Sequence, residues 1–215
     1  MIIAIDGPAA AGKGTLGRRL AEHFGLAYLD TGLIYRAIAS KMLQRDLDPA
    51  DPEAAAAVAR TLSAEDLEDP ALRGDEAAQA ASQVAAIADV RAAVLDFQRA
   101  FAAHPPGGAR GAVLDGRDIG TVVCPEADHK LFVTADLEAR ATRRLQELRE
   151  RGVESIYARV LQDMAERDAR DSQREVAPLV PAVDAFMLDT TEMEADAAFA
   201  AALKFITSRC AAGGG

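Results

Sequence analysis

Cysteine is scarce: Cys124 and Cys210 are the two that the sequence holds. They make neither a metal-ligand spacing nor a disulfide framework, which leaves a reduced, cytoplasmic protein as the default. No apolar run approaches the roughly 20 residues needed to span a membrane. The N-terminus lacks the charged-then-apolar pattern of a signal peptide and begins directly on a strand-like run. Internal repeats are absent. Lysine is rare as well: the 24 basic residues are 20 arginines and 4 lysines. A formal net charge of −10 argues against non-specific binding to nucleic acid or an anionic membrane. An anionic substrate must therefore meet local positive charge, and arginine suits bidentate contact to phosphate. What is present is a chain of 215 residues, half of them apolar. That is enough for one substantial core with mobile inserts, in a globular rather than disordered protein.

The N-terminal stretch organises the rest. Ile2 to Asp6 is a short apolar run rich in β-branched residues and reads as a buried strand. Gly7, Pro8, Ala9, Ala10, Ala11 and Gly12 follow as a turn, then Lys13, Gly14 and Thr15. From Lys13 to Phe24 the spacing is helical, with Leu16, Leu20 and Phe24 on one face. Strand, glycine loop, lysine and helix make the P-loop arrangement. Backbone N–H groups and the helix N-terminus offer partial positive charge to an anion, and Lys13 adds a full charge that can reach the β- and γ-phosphates of a nucleotide. The plainer alternative is a glycine turn with an exposed lysine; spacing and context both favour the P-loop. The motif asks for a hydroxyl directly after the lysine, whereas here Gly14 intervenes before Thr15.

Further strands are expected at 27–30, 111–115, 130–134 and 185–189, and helices at 33–44, 53–62, 75–88, 90–104, 137–151, 156–170 and 194–209. Residues 63–74 read as acidic and irregular, and 211–215 as a flexible end. Strands alternating with helices imply an α/β fold with a five-stranded parallel sheet covered on both faces. The long helical stretch between the second and third strands reads as an inserted substrate-binding region.

Ligands of open α/β sheets gather beyond the carboxyl ends of the strands. Three motifs fall there: the P-loop, the segment from Asp30 to Arg36, and Asp115-Gly116-Arg117-Asp118. Asp115 ends an apolar strand, where a P-loop enzyme keeps the carboxylate that supports Mg²⁺; a helix cap or turn residue is the alternative. Arg36 and Arg117, each unremarkable alone, read jointly as a clamp for a second anionic substrate. Nine arginines lie between Arg140 and Arg174. Most read as members of solvated ion pairs. Their position around Gly152, downstream of a P-loop, also suits a mobile lid. His23, His104 and His129 read as ordinary surface or partly buried residues.

Several segments together resemble the bacterial cytidylate kinases. They are Gly12-Lys13-Gly14-Thr15, Asp30-Thr31-Gly32 with Tyr35-Arg36, Ser82-Gln83-Val84-Ala85, Asp115 to Val123, Glu166-Arg167-Asp168 with Arg170-Asp171, and Ala177-Pro178-Leu179. The likeness runs in order from Ile2 to about Phe205 and implies ATP-dependent phosphorylation of CMP and dCMP by a single P-loop kinase domain spanning 1–215. The monophosphate-binding insertion would cover about 31–104 and the lid about 143–170. The resemblance implies that Gly7 to Thr15 hold the ATP phosphates, and that Thr15 and Asp115 serve Mg²⁺, the latter through water. It further implies that Thr31, Tyr35, Arg36 and Arg117 shape the CMP phosphate site. Ser82, Arg91 and Asp118 would face cytosine, Arg167 and Asp171 the ribose, and Arg174 a phosphate. Lys13, Arg117, Arg143, Arg144 and Arg167 would be the catalytic cations. The β-rich insert common in relatives is missing: residues 62–76 are short and carry no strand-like run.

Two other functions fit parts of the sequence. A P-loop kinase for UMP, AMP or a small metabolite would differ only in the acceptor pocket. A nucleotide-dependent switch without an acceptor would not need Arg36, Ser82, Arg91 and Asp118 together. The partners expected are ATP and CMP or dCMP, with no nucleic acid and no membrane, and the oligomeric state expected is a monomer.

Overall fold

The computed structural model describes residues 1–63, 65–67 and 69–212. Five strands, β1 (Ile2–Asp6), β2 (Ala27–Asp30), β3 (Ala112–Gly116), β4 (His129–Thr134) and β5 (Phe186–Asp189), form one sheet in the order β2-β3-β1-β4-β5. Every pairing is parallel. The helices are α1 (Lys13–Phe24), α2 (Thr31–Leu43), α3 (Pro52–Ala59), α4 (Asp75–Val84), α5 (Ala88–Ala103), α6 (Leu137–Glu150), α7 (Tyr157–Gln173) and α8 (Ala195–Ala212).

The central strand shows how the sheet is covered. Its side chains alternate between faces. Ile3 and Ile5 pack with Leu16 and Leu20 of α1 and with Ala202 and Ile206 of α8. Ala4 packs on the other side, in the core that α2, α3, α4 and α5 build. Those four helices all stand between β2 and β3. The pair α6 and α7 has its own small core of Ala141, Leu145, Leu148, Val160 and Met164, against which Ala9 and Ala10 of the glycine loop rest.

The expected elements are present with shifted ends, and the shifts have local causes. The second helix begins at Thr31 rather than Leu33, because the Asp30 carboxylate accepts from the Gly32 N–H and caps it. The third ends at Ala59 rather than Leu62. A break at residues 85–87 separates α4 from α5. The last helix continues to Ala212, so residues 211 and 212 are helical rather than a flexible end; the remainder of that expectation, 213–215, lies outside the described residues. Between Leu62 and Glu76 the described residues hold two short 3₁₀ turns, Glu65–Leu67 and Pro70–Arg73, and no strand. His129 is buried in β4 rather than at the surface, edge-on to Phe205. One element has no counterpart in the sequence reading: a π-helical turn, Ile119–Val123, directly after Asp118.

The sheet order sets the site. The chain leaves β1 for the edge at β2, returns to β3 beside β1, then crosses β1 to reach β4. The crevice at this reversal lies beyond the carboxyl ends of β1, β2 and β3. Register brings three acids to that edge: Asp30 pairs with Asp115, and Asp6 pairs with Gly116 next to it.

Candidate active site

The loop after β1 is built for close approach. Gly7 has φ of 146°, and a Cβ there would lie 1.9 Å from the carbonyl oxygen of Val133, so only glycine fits. Gly12 caps α1 with φ of 91°. Ala10, between them, holds a left-handed φ of 57° without being glycine. That conformation stores strain of about 1 kcal/mol or more, which persists where the surroundings impose it. The Lys13 ammonium donates to the Pro8 carbonyl at 2.8 Å and so curls over its own loop. Burial, reinforced by the charge of Arg117 and opposed by Asp115 and Asp30, pushes the Lys13 pKa down to about 7. A site that so disfavours an isolated cation is completed by an anion.

Thr15 is exposed on the cavity wall one turn into α1. Asp115 is buried at the end of β3, and its Oδ2 accepts from the Tyr28 hydroxyl at 2.9 Å. The same oxygen lies 3.5 Å from where a Gly14 side chain would begin, so Asp115 sits in van der Waals reach of the residue between Lys13 and Thr15. Burial pushes the Asp115 carboxyl up in pKa, against the pull of Lys13. A hydroxyl and a carboxylate oxygen beside a phosphate loop are the hard oxygen donors that a divalent cation such as Mg²⁺ takes. Thr31 is placed differently from a phosphate ligand. Its hydroxyl donates to the Asp115 carbonyl at 2.8 Å and ties the end of β2 to the end of β3.

A cavity of about 1500 Å³ opens from this edge. Single small-molecule sites measure roughly 300–1,000 Å³, so there is room for two nucleotides. At the phosphate-loop end, Arg36, Arg117, Arg144 and Arg167 converge on it. Burial and the charges of Arg117, Arg36 and Arg144 push the Arg167 pKa down to about 10, although Asp171 pulls the other way. The Arg167 Nε is buried without a hydrogen-bond partner. Asp171 accepts from Arg117 Nε at 2.8 Å and Arg144 donates to Glu147 at 2.8 Å. Burial works against the Asp171 charge, but Arg117 and Arg167 hold its carboxyl below the usual value. The cluster carries more positive than negative charge.

The far end of the cavity is arranged around Asp118. Its carboxylate forms a buried ion pair with Arg91 of α5, and its other oxygen lies 3.6 Å from Arg174 Nη2. Arg174 also donates to the Ala177 carbonyl at 2.6 Å. It therefore stands beside Asp118 and Arg91 at this end of the cavity. Tyr35 also lies on this side, its ring 5.7 Å from the Arg91 guanidinium carbon. Ser82 of α4 lines the same space and accepts from Arg170 of α7 at 2.7 Å. The Asp118 side chain does not cap the turn that follows: it makes no capping hydrogen bond to it.

Arg143 does not line the cavity. Its guanidinium donates to the hydroxyl of Thr190 at 3.1 Å and to the carbonyls of Thr190 and Thr191, on the turn between β5 and α8. The sequence reading assigned no role to Tyr28, Arg170 or Asp6. Arg170 stood inside a quoted motif; Asp6, at the last position of an otherwise apolar strand, was the other visible signal.

A parallel sheet in this order, with a P-loop after its central strand and a cation-lined cavity at the reversal, defines a P-loop α/β protein of the nucleotide-kinase kind. The chain belongs to the cytidylate kinase family: the family model described as cytidylate kinase matches residues 3–208. The cytidylate kinase of Paramagnetospirillum magneticum is 67% identical over 208 residues, which cover 97% of this chain and 98% of that one. Those of Methylocella silvestris and Rhodospirillum rubrum are each 59% identical, over 97% of this chain and 94% and 98% of theirs. Among solved structures, an uncharacterized protein from Eubacterium ventriosum superposes with a TM-score of 0.56 at 16% identity, over 97% of this chain and 99% of that one, which speaks for the fold alone. Among the described residues no helix is long and apolar enough to cross a membrane.

Proposed function

We propose that this protein transfers the γ-phosphoryl group of ATP to the phosphate of CMP or dCMP, giving ADP and CDP or dCDP. One observation carries the reading beyond family membership. A single cavity has a phosphate loop and surplus arginines at one end, and at the other a buried carboxylate held between two guanidiniums. Phosphates are met by the first group and a polar nucleobase edge by the second.

Gly7 to Thr15 would wrap the ATP phosphates, with Lys13 leaving the Pro8 carbonyl to follow the transferred group. Thr15 and Asp115 would hold Mg²⁺, Asp115 through water, and the ion supplies charge neutralisation on the nucleotide phosphates when bound. Arg36 and Arg117 would take the CMP phosphate, and Arg144 and Arg167 the charge that develops between the two nucleotides. The acceptor phosphate is already ionised near neutral pH, its second pKa being about 6, so no side chain need remove a proton. The work is alignment and electrostatic stabilisation. Asp118 would accept from the cytosine amino group, and Arg91 and Arg174 would donate to N3 and O2. Uracil reverses the first two of those polarities. Residues 31–104 would form the monophosphate-binding region and about 143–170 the lid, closing to exclude water.

The test is steady-state ADP formation from ATP and Mg²⁺ with CMP, dCMP, UMP and AMP supplied in turn. Turnover with CMP and dCMP far above UMP and AMP is expected. Equal turnover of all four, or ATP hydrolysis indifferent to any monophosphate, would refute the reading.

A further inference from the structure

The π-helical turn Ile119–Val123 follows directly on Arg117 and Asp118, and both its ends are held from outside. At its start the first N–H groups have no partner within the turn. An aspartate in the capping position, such as Asp118, would ordinarily accept one of them with its own side chain. Here it does not. Both are taken by Asp6 of β1: Oδ1 accepts from the Ile119 N–H and Oδ2 from the Gly120 N–H, each at 2.7 Å. At the other end, Arg99 of α5 donates to the carbonyls of Val122 and Val123 at 3.0 and 3.2 Å. A carboxylate at the start of the turn and a guanidinium at its finish both match the direction of its peptide dipoles.

Asp6 is buried, and it is the residue directly before Gly7, where the phosphate loop begins. Its carboxylate and the loop therefore share one short piece of backbone. The space around it is tight. A Cβ at Gly120 would lie 3.3 Å from Asp6 Oδ2 and 3.2 Å from the stem of Lys130. A charge buried in such a place opposes folding unless it is hydrogen-bonded, as Asp6 is by the two N–H groups of the turn. What depends on that pairing is the freedom of the Asp118 carboxylate to meet Arg91 and Arg174.

We propose that Asp6 is a positioning residue for the nucleobase: by capping the turn in place of Asp118, it leaves the Asp118 carboxylate available for cytosine and fixes that carboxylate relative to the phosphate loop. The proposal rests on the reading that Asp118 meets the base. Asp6 touches neither substrate, so its effect passes wholly through the turn. In Asp6→Asn one backbone N–H keeps an acceptor and the other faces an amide N–H₂. The turn then has an unpaired donor, and Asp118, which occupies the capping position, would satisfy it at the expense of its contacts with Arg91 and Arg174.

The experiment is a double-mutant cycle read by equilibrium binding of CMP, UMP and ATP to wild type, Asp6→Asn, Asp118→Asn and the double variant. Asp6→Asn is expected to weaken CMP by about tenfold, the value of a charge-assisted hydrogen bond, and to narrow the CMP-over-UMP ratio while ATP binding stays within about twofold of wild type. In the Asp118→Asn background the same change should have almost no further effect on CMP, because residues acting through one another are not additive. Independent, additive losses would overturn the proposal, as would unchanged CMP affinity in a folded Asp6→Asn variant whose Asp118→Asn counterpart is weakened. Should Asp118→Asn itself bind CMP like wild type, the base reading fails and the proposal with it. If Asp6→Asn does not fold, Gly120→Ala strains the same contact by a few tenths of an ångström. It should then weaken CMP in preference to ATP, and equal effects on both, or none, would overturn the proposal.

Discussion

The guanidinium of Arg91 and the carboxylate of Asp118 form a buried ion pair that joins α5 to the turn after β3. Its members come from the helical region between β2 and β3 and from the crevice at the sheet edge. The pair therefore ties that helical region to the crevice beyond the sheet. Breaking one half of such a pair leaves a buried charge uncompensated, which is far more damaging than the pair is stabilising.

Lys13→Ala should abolish useful turnover with the fold intact. The side chain is held by its own loop, through Pro8, and no other element depends on that bond. Removing a charge that follows the transferred group costs about 10²-fold or more in kcat. A folded variant retaining above about a tenth of wild-type kcat would contradict the role.

Arg143 and Arg144 are neighbours with different contacts, and their variants should fail differently. Arg144→Met should lower kcat about tenfold or more, with the melting temperature little changed, because Arg144 lines the cavity. Arg143→Met removes hydrogen bonds to Thr190 and Thr191. It should lower stability by about 1–3 kcal/mol and kcat much less. Kinetics together with thermal melts separate the two, and identical profiles would show that the distinction is wrong.

This pair also shows where sequence reasoning stops. Strands, phosphate loop and the strand-end acids Asp30 and Asp115 are legible because each is a local pattern: an apolar run, a glycine spacing, a polar residue where the run ends. Adjacent residues on a helix point about 100° apart, so choosing between Arg143 and Arg144 requires knowing which face meets the cavity. The family resemblance names Arg91, Asp118 and Arg174, yet nothing in it says that two arginines share one carboxylate. Asp6 escaped notice for a related reason. An acid at the end of an apolar strand looks like a turn residue until the turn it serves is seen, far along the chain. The π-helical turn has no periodic signal in five residues.

The segment from Gln146 to Ser155, from the last turn of α6 into the loop before α7, should change on binding. It includes Gly152 with φ of 73°, and beside it Ile156 is 69% exposed. Hydrogen exchange there is expected to slow when ATP and CMP are bound together. Identical protection in the free and doubly liganded protein would remove the lid assignment.

Asp6 should leave a mark on the pH dependence of stability. Burial pushes its carboxyl up to about 6, against the two backbone N–H groups; Asp118 adds repulsion and Lys13 attraction. An acid whose folded pKa is raised contributes stability that is present below its unfolded value of about 3.9 and lost as pH rises through the folded one. Relative to Asp6→Asn, wild type should therefore lose up to about 3 kcal/mol between pH 4 and 6, at about 1.4 kcal/mol per unit. Denaturant melts of both proteins across that window test this, and a difference that is flat or of opposite slope would contradict it.

The central claim is that the Asp118 carboxylate distinguishes cytosine from uracil, and the ratio of kcat/KM for CMP over UMP measures it most directly. In wild type, uracil O4 would face that carboxylate with no proton between them, a mismatch of buried polar groups that can discriminate by about 10⁴. An amide in place of the carboxylate can donate to O4. Asp118→Asn is therefore predicted to collapse the ratio, chiefly through loss of CMP activity. A ratio unchanged from wild type, in a variant that is folded but less heat-stable, would contradict the claim and leave Asp118 a purely structural residue.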